Sequence, residues 1–559
     1  MENAKQPPFL QYINDGWVED LLGKMTLREK VGQLFQIAAF SNKGTEHIRE
    51  VEQLIVDHLL GGLTFFQGAA SGQITLVNRY QSLSRVPLFI NIDAEWGLAM
   101  RLQDGFRFPY QMTLGALTND ELIYQMAQCI GRHCQRVGVS SPLAPVIDIN
   151  NNPHNPVINY RSFGENKHRV ASKGLAYMKG LQSVRVLDNA KHFPGHGDTA
   201  VDSHLDLPLL PFDEERLQSL ELFPYQKLIQ EGLSSVMVAH LQIPVWDDQA
   251  HQPVTLSSKI IQEQLKKKLA FRGLIITDAL DMQGITKHHD NAEVLAVQAG
   301  NHLLTNSRNV PVAIQMILDS IDRGDWPVSD LNQMVREILA MKRWLALDKF
   351  RPISLVDLHN DLHDDESQKL NRTLAEESLT VLKGDFSKGL VTDAAFLIIN
   401  CQSATVSSRD AIAHHLKQTE QCEESALYDQ IRQSYKHLWS WKAEEGEEAF
   451  KILLKKLSAF TEVFVFINGV NIKPFNHFDI PPVVRTELQN LASRMHLMLL
   501  GNAYALDEIV GHNDAKSIGV TYQDGADFQR AVWRLLQGEI QSKGKLPVSL
   551  AHFIEGSGL

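Results

Sequence analysis

Basic residues are in short supply. The 559 residues carry 54 Lys and Arg against 66 Asp and Glu, a net charge of −12. That balance argues against a nucleic-acid partner, since a phosphate backbone is bound through an excess of cations. Cysteine is scarcer still. Cys129, Cys134, Cys401 and Cys422 are the four in the chain, too few for a disulfide framework. Cys129 and Cys134 stand in a helical-looking stretch without the further ligands a metal motif needs, and read as buried thiols. No run approaches the ~18 apolar residues of a membrane helix. The opening segment MENAKQPPFLQYINDGW lacks the basic and apolar regions of a secretory leader, so the expectation is a cytoplasmic chain, or an exported one already processed. Internal repeats and low-complexity tracts are also missing. Hydrophobic residues at 44% and charged residues at 21% are ordinary globular values.

What is present is alternation. Short apolar runs recur over the first ~345 residues, enough chain for one large domain: 31–40, 61–66, 87–93, 141–150, 187–193, 234–240, 273–279 and 301–306. They are rich in β-branched and aromatic residues, and the segments between them are long enough for helices. Thr118 and Glu121 have capping-box spacing before one such helix. Another begins at Ser329, with Leu331, Met334, Val335, Ile338 and Leu339 on one face. Eight strand–helix repeats predict an α/β fold with a closed (β/α)8 TIM-type barrel. An open doubly wound sheet would want a glycine-rich phosphate turn after its first strand, and VGQLFQIAAFSNKG has none. The polar stretch 346–369 reads as a linker. A helix over 370–382 leads into four more strand candidates, 394–400, 462–469, 496–502 and 516–522, which predict a smaller α/β domain. The expected domains are thus a barrel over 1–345 and a second domain over 370–559.

Three stretches concentrate chemistry at predicted strand ends, where barrel active sites are built. The first is Lys191-His192-Phe193-Pro194-Gly195-His196-Gly197-Asp198-Thr199, followed by Asp202-Ser203-His204. Its glycines and proline exclude regular helix or strand. An Asp-x-His pair such as Asp202 and His204 lets a carboxylate orient an imidazole that gives up and retakes a proton. A metal site of His196, His204 and Asp202 is the competing idea, and it lacks zinc-motif spacing. The second is GLIITDALDM, with Asp278 at the end of an apolar strand. A carboxylate there can attack an anomeric carbon, or merely cap the next helix. Asp281 is the nearby rival. The third is Asp93-Ala94-Glu95-Trp96-Gly97-Leu98-Ala99-Met100-Arg101. Asp93 can accept two sugar hydroxyl hydrogens, while Arg101 and Arg161 offer planar donor forks or structural ion pairs.

KHFPGHGDT…DSH, ITDALDM, DAEWGLAMRL, FPYQMTLGAL and NYRSFGEN together resemble family 3 glycoside hydrolases, in the bacterial β-N-acetylglucosaminidase (NagZ-like) branch. The likeness spans most of residues 20–345. A weaker one, through GNAYALDEI and GKLPVSL, points to the α/β sandwich domain of the two-domain members. The resemblance implies a retaining hydrolase of terminal β-linked N-acetylglucosamine, with Asp278 as nucleophile and His204 as acid/base, paired with Asp202. It implies that Lys191, His192, Asp93, Arg101 and Arg161 bind the sugar, with a small carbohydrate substrate and neither metal nor cofactor. The branch commonly has two glycines after the motif's glutamate; here Trp96 takes the first place, where its ring could narrow the pocket or stack on substrate. Because a histidine acid repels anions less than a glutamate would, phosphorolysis of the same sugars is an alternative. A catalytically dead carbohydrate-binding barrel is a third reading, and it would be expected to have lost Asp278 or the Asp202/His204 pair.

Overall fold

The computed structural model describes residues 4–199, 207–388, 390–402 and 426–559. It divides by contacts into two units. The first comprises Met1–Arg107, Ile123–Ile149 and Ala171–Asp364; the second comprises Phe108–Leu122, Asn150–Val170 and Asp365–Leu559.

The first unit is a parallel barrel. Its strands are β1 Phe35–Ala39, β2 Gly62–Phe65, β3 Phe89–Ile92, β4 Ala190–Phe193, β5 Ser235–Val238, β6 Leu274–Thr277 and β7 Leu304–Thr305. β3, β2, β1 and β7 form one hydrogen-bonded run and β4, β5 and β6 another. Parallel bridges Asn91–Ser141, Val146–Lys191 and Ile276–Leu303 join the two runs at both ends, so the ring closes with residues 141–146 in the eighth place. The expected strand over 141–150 is reduced to those contacts. Pro142 and Pro145 have no amide hydrogen to give to a ladder, and Leu143 sits at φ 46°. The seven strands are almost wholly buried, as a barrel sheathed in helices requires. At the start of β2 the ring is tight. A Cβ on Gly61 would lie 1.9 Å from the Gln33 carbonyl oxygen, and one on Gly62 2.2 Å from that of Phe89, so no side chain fits there.

Helices follow the strands, among them Thr45–His58, Ala70–Leu83 and Val310–Asp322. Thr26 and Glu29 make a reciprocal capping box before Leu27–Gly32. Ahead of the helix Glu121–Arg136, the Asn119 side-chain oxygen accepts the Glu121 amide at 3.1 Å. Val328–Trp344 buries the predicted stripe of Leu331, Met334, Val335, Ile338 and Leu339, and Lys342 with it. The Lys342 ammonium donates to Gln33 Oε1 at 2.8 Å.

The second unit is built on a six-stranded sheet: β8 Thr380–Lys383, β9 Ala395–Asn400, β10 His437–Lys442, β11 Val463–Asn468, β12 Met495–Leu499 and β13 Ser517–Val520. The order is β10-β9-β11-β12-β13-β8, parallel throughout except for the antiparallel β13–β8 pair. Alternate residues feed two cores. Leu397, Val465 and Leu497 face one layer; Phe396, Phe464 and Met498 face the other. This is an α/β sandwich. The helix expected over 370–382 instead spans Asp365–Ser378, and its last residues become β8, where Thr380 and Val381 favour extended backbone. β10 was not expected. As an edge strand it buries Trp441 but leaves most of its side chains partly exposed, which blurs the alternation.

Candidate active site

The carboxyl ends of β3, β4 and β6 bring most of the candidate residues together in the first unit. Asp93 follows β3, Lys191 and His192 belong to β4, and Asp278 follows β6. Strand ends are exit points from a rigid sheet, so a side chain there is held by the ladder behind it.

Lys191 is 1% exposed, and its ammonium lies 3.1 Å from Asp93 Oδ1 and 2.9 Å from Glu95 Oε1. The other Asp93 oxygen accepts from Arg101 Nη2. Burial opposes ionisation of Asp93, but Lys191 and Arg101 more than offset it and hold the carboxyl well below the usual carboxylate range. Asp93 is therefore an obligate anion whose remaining lone pairs can accept hydroxyl hydrogens, and Lys191 and Arg101 are donors held at fixed positions.

His192 is oriented from below by Asp148, a residue the motifs did not single out. Asp148 is 1% exposed. It accepts the His192 Nδ1 hydrogen at 2.8 Å, the His192 amide at 3.2 Å and the His196 amide at 2.7 Å. Burial pushes its carboxyl up, but His192 and His196 outweigh burial and keep it low. One carboxylate thus staples the KHFPGH turn and orients the His192 ring. The signal for Asp148 was a carboxylate inside the apolar run APVIDIN, which is expensive unless paired. His196 is buried, its Nδ1 2.7 Å from the Thr199 hydroxyl. Burial and the His192 charge bring its pKa down to about 4. Gly197 packs so closely that a Cβ would lie 1.7 Å from the Ile149 carbonyl oxygen. Asp198 pairs with Arg216 at 3.0 Å, and Arg216 pairs in turn with Glu221 at 3.0 Å.

Asp278 is half-buried. Its amide donates to Val238 of β5 at 3.1 Å, and its Oδ1 accepts the Ala279 amide at 2.8 Å. The carboxylate is thereby fixed at the strand end. Asp281 lies in the following turn, where partial burial and the neighbouring Asp278 charge push its carboxyl up, against a nucleophile's need for a ready anion.

Asp202 and His204 lie outside the described residues, so the metal arrangement with His196 lies outside them too. Among the described residues, no group of three His, Cys, Asp or Glu is arranged to hold a metal ion. Arg161 belongs to the second unit, where it ends the turn Asn159–Arg161 and donates to the Val157 carbonyl at 3.2 Å. Its assignment to the sugar rests on the NYRSFGEN motif. Trp96 is fully buried, so its ring presents no open face for stacking. Cys129, Cys134 and Cys401 are buried thiols outside any disulfide. No helix among the described residues is long and apolar enough to cross a membrane.

This geometry has counterparts. The chain is 30% identical over 374 residues to β-hexosaminidase A of Pseudoalteromonas piscicida, covering 60% of this chain and 61% of that one. It is 26% identical over 377 residues to a β-N-acetylglucosaminidase/β-glucosidase of Cellulomonas fimi, covering 66% of each. The chain therefore spans somewhat under two thirds of the length of these relatives. A family 3 β-N-acetylglucosaminidase structure from Paenibacillus sp. str. FPU-7 superposes with a TM-score of 0.78 at 27% identity, over 94% of this chain and 99% of that one. Residues 26–341 match the glycosyl hydrolase family 3 N-terminal domain. That span holds the whole closed ring and every strand-end residue described above, and by it the chain belongs to glycosyl hydrolase family 3.

Proposed function

We propose that this chain is a retaining β-N-acetylhexosaminidase that releases terminal β-linked N-acetylglucosamine. In this reading the barrel of residues 1–345 is catalytic, 346–369 is a linker and 370–559 a sandwich domain, with 108–122 and 150–170 grouped with the sandwich by their contacts. The carrying observation is the convergence of Asp278 with the Asp93–Lys191–Arg101 cluster on the carboxyl ends of β6, β4 and β3. The N-acetyl preference is supported by the names of the relatives.

Asp93 accepts hydrogens from sugar hydroxyls, and Lys191, Arg101 and His192 donate to sugar oxygens. The ring is thereby oriented with its anomeric carbon toward Asp278. The Asp278 carboxylate attacks that carbon while protonated His204 gives its proton to the departing glycosidic oxygen, and a glycosyl-aspartate forms. Neutral His204 then takes a proton from water, whose oxygen attacks the same carbon and returns Asp278 as the free carboxylate. Asp202 steadies the imidazolium that the first step needs. The two roles are supported by the Asp-x-His spacing and by the family. The aglycone is a peptidoglycan fragment or a chitin-type oligosaccharide, the former placing the chain in peptidoglycan recycling.

The test is turnover of the 4-nitrophenyl β-glycosides of N-acetylglucosamine and glucose, with and without phosphate. Preferential cleavage of the N-acetylglucosaminide, free sugar as product and near-complete loss in Asp278→Ala are expected. Equal turnover of the glucoside would remove the N-acetyl assignment. A sugar 1-phosphate product formed at a rate that rises with phosphate would replace hydrolysis by phosphorolysis.

A further inference from the structure

His240 closes β5 in the apolar run SSVMVAH, and nothing in the mechanism above uses it. It is fully buried, an expensive position for an imidazole unless its nitrogens are satisfied. Both are bonded. Nδ1 lies 2.7 Å from the Thr255 hydroxyl and Nε2 lies 2.9 Å from the Ala279 carbonyl oxygen. A carbonyl only accepts, so Nε2 carries the hydrogen, and the Thr255 hydroxyl that meets Nδ1 also donates to the Ala239 carbonyl at 2.9 Å.

The bond to Ala279 matters because of what else meets at that residue. The Ala279 amide holds Asp278 Oδ1 at 2.8 Å. The Ala279 carbonyl closes the next turn by accepting the Met282 amide at 3.2 Å, with His240 as its second donor. The neighbouring backbone is anchored from both flanking strands: Asp278 N–H to Val238 at 3.1 Å and Leu280 N–H to Thr305 at 2.9 Å. Of the two peptide planes that share Ala279, one is tied by the Asp278 carboxylate itself, and the other by His240 together with Met282 and Thr305.

We propose that His240 is a positioning residue for the Asp278 nucleophile, acting through the Ala279 backbone. The inference rests on the reading of Asp278 as nucleophile. Its role is geometric: His240 keeps the Ala279 amide aimed at one carboxylate oxygen, so that the carboxylate meets the anomeric carbon in one orientation. It carries no proton in the reaction and touches no substrate.

The substitutions His240→Gln, His240→Asn and His240→Ala test this. A glutamine amide nitrogen reaches the place of Nε2 and can still donate to Ala279, whereas an asparagine nitrogen reaches only the place of Nδ1. Three quantities are measured on the full chain: kcat and KM with 4-nitrophenyl N-acetyl-β-glucosaminide, the rate of covalent labelling at Asp278 by the corresponding 5-fluoro glycosyl fluoride, and the melting temperature. The Ala and Asn variants should lose about tenfold to a hundredfold in both kcat and labelling rate, as a displaced reacting group does, while KM changes little. The Gln variant should keep most of both. A purely structural role would move the melting temperature without separating Gln from Asn, and that result would overturn the proposal. So would an Ala variant that labels at the wild-type rate. Wild-type protein that is turned over yet never labelled at Asp278 would instead overturn the nucleophile reading, and this one with it.

Discussion

Lys191 lies between two carboxylates with almost no access to water. A charge in that setting is retained by its partners, and removing it strands them. Lys191→Met should therefore destabilise the fold by about 3–5 kcal/mol in urea titration, the cost of breaking a buried ion pair. It should also lower kcat/KM about a hundredfold or more through loss of sugar orientation. A variant with near-normal kcat/KM would exclude Lys191 from sugar binding. The strand-end positions of Asp93, Lys191 and Asp278 were legible in the motifs, because each follows or ends a recognisable strand. Asp148 and His240 were not. Each is a polar residue inside an apolar run, and its meaning lies in a partner far along the chain, His192 for one and Ala279 for the other. Sequence spacing carries no record of such pairs.

At the scale of elements, periodicity served well where an element is regular and failed where its backbone is interrupted. Seven of the eight barrel candidates contain a strand; the eighth is broken by its prolines. β8 was hidden at the end of a helix, and β10 behind the mixed exposure of an edge. The helix Val328–Trp344 shows how far a period can be followed. Lys342 stands four residues after Ile338 and three after Leu339, so the apolar stripe itself points the ammonium inward. Burial lowers its pKa from the ordinary lysine value to about 7. The folded state then binds fewer protons than the unfolded chain between pH 7 and pH 10.5, so this group's contribution to stability rises with pH across that window and is lost as pH falls through about 7. Lys342→Met removes the contribution. The stability of wild type minus that of the variant should increase by about 3 kcal/mol between pH 7 and pH 9.5, with the variant the more stable at pH 7. Parallel stability curves, read from urea midpoints, would refute this.

On the scale of the whole molecule, the two units are not two consecutive stretches of chain. The second unit draws Phe108–Leu122 and Asn150–Val170 from the first half of the sequence. These segments are not decoration. Met112 and Ala116 lie in its core, the Tyr110 amide donates to Gln523 Oε1 at 2.8 Å, the Glu165 amide donates to Pro547 at 3.1 Å, and Asn150 donates to the Tyr504 hydroxyl at 3.0 Å. Residues 370–559 expressed alone would expose that core and leave those groups unpaired. The fragment should show no cooperative urea transition and should self-associate in sedimentation; a single sharp transition of a monomeric fragment would contradict this. Nothing in the alternation of strands and helices announced the interleaving, because hydrophobic period reports which way a side chain faces and not which distant strand it meets.

The same interleaving sets an order of events during synthesis. A ribosome adds about 5–20 residues per second, so the segment ending at Leu122 waits roughly 20–90 s for the last strands of its own unit. During that wait Met112 and Ala116 have no finished core to enter. The nascent chain must carry apolar segments that belong to a unit not yet made, hydrophobic surface that stays exposed to aggregation until Val548 and Leu550 arrive.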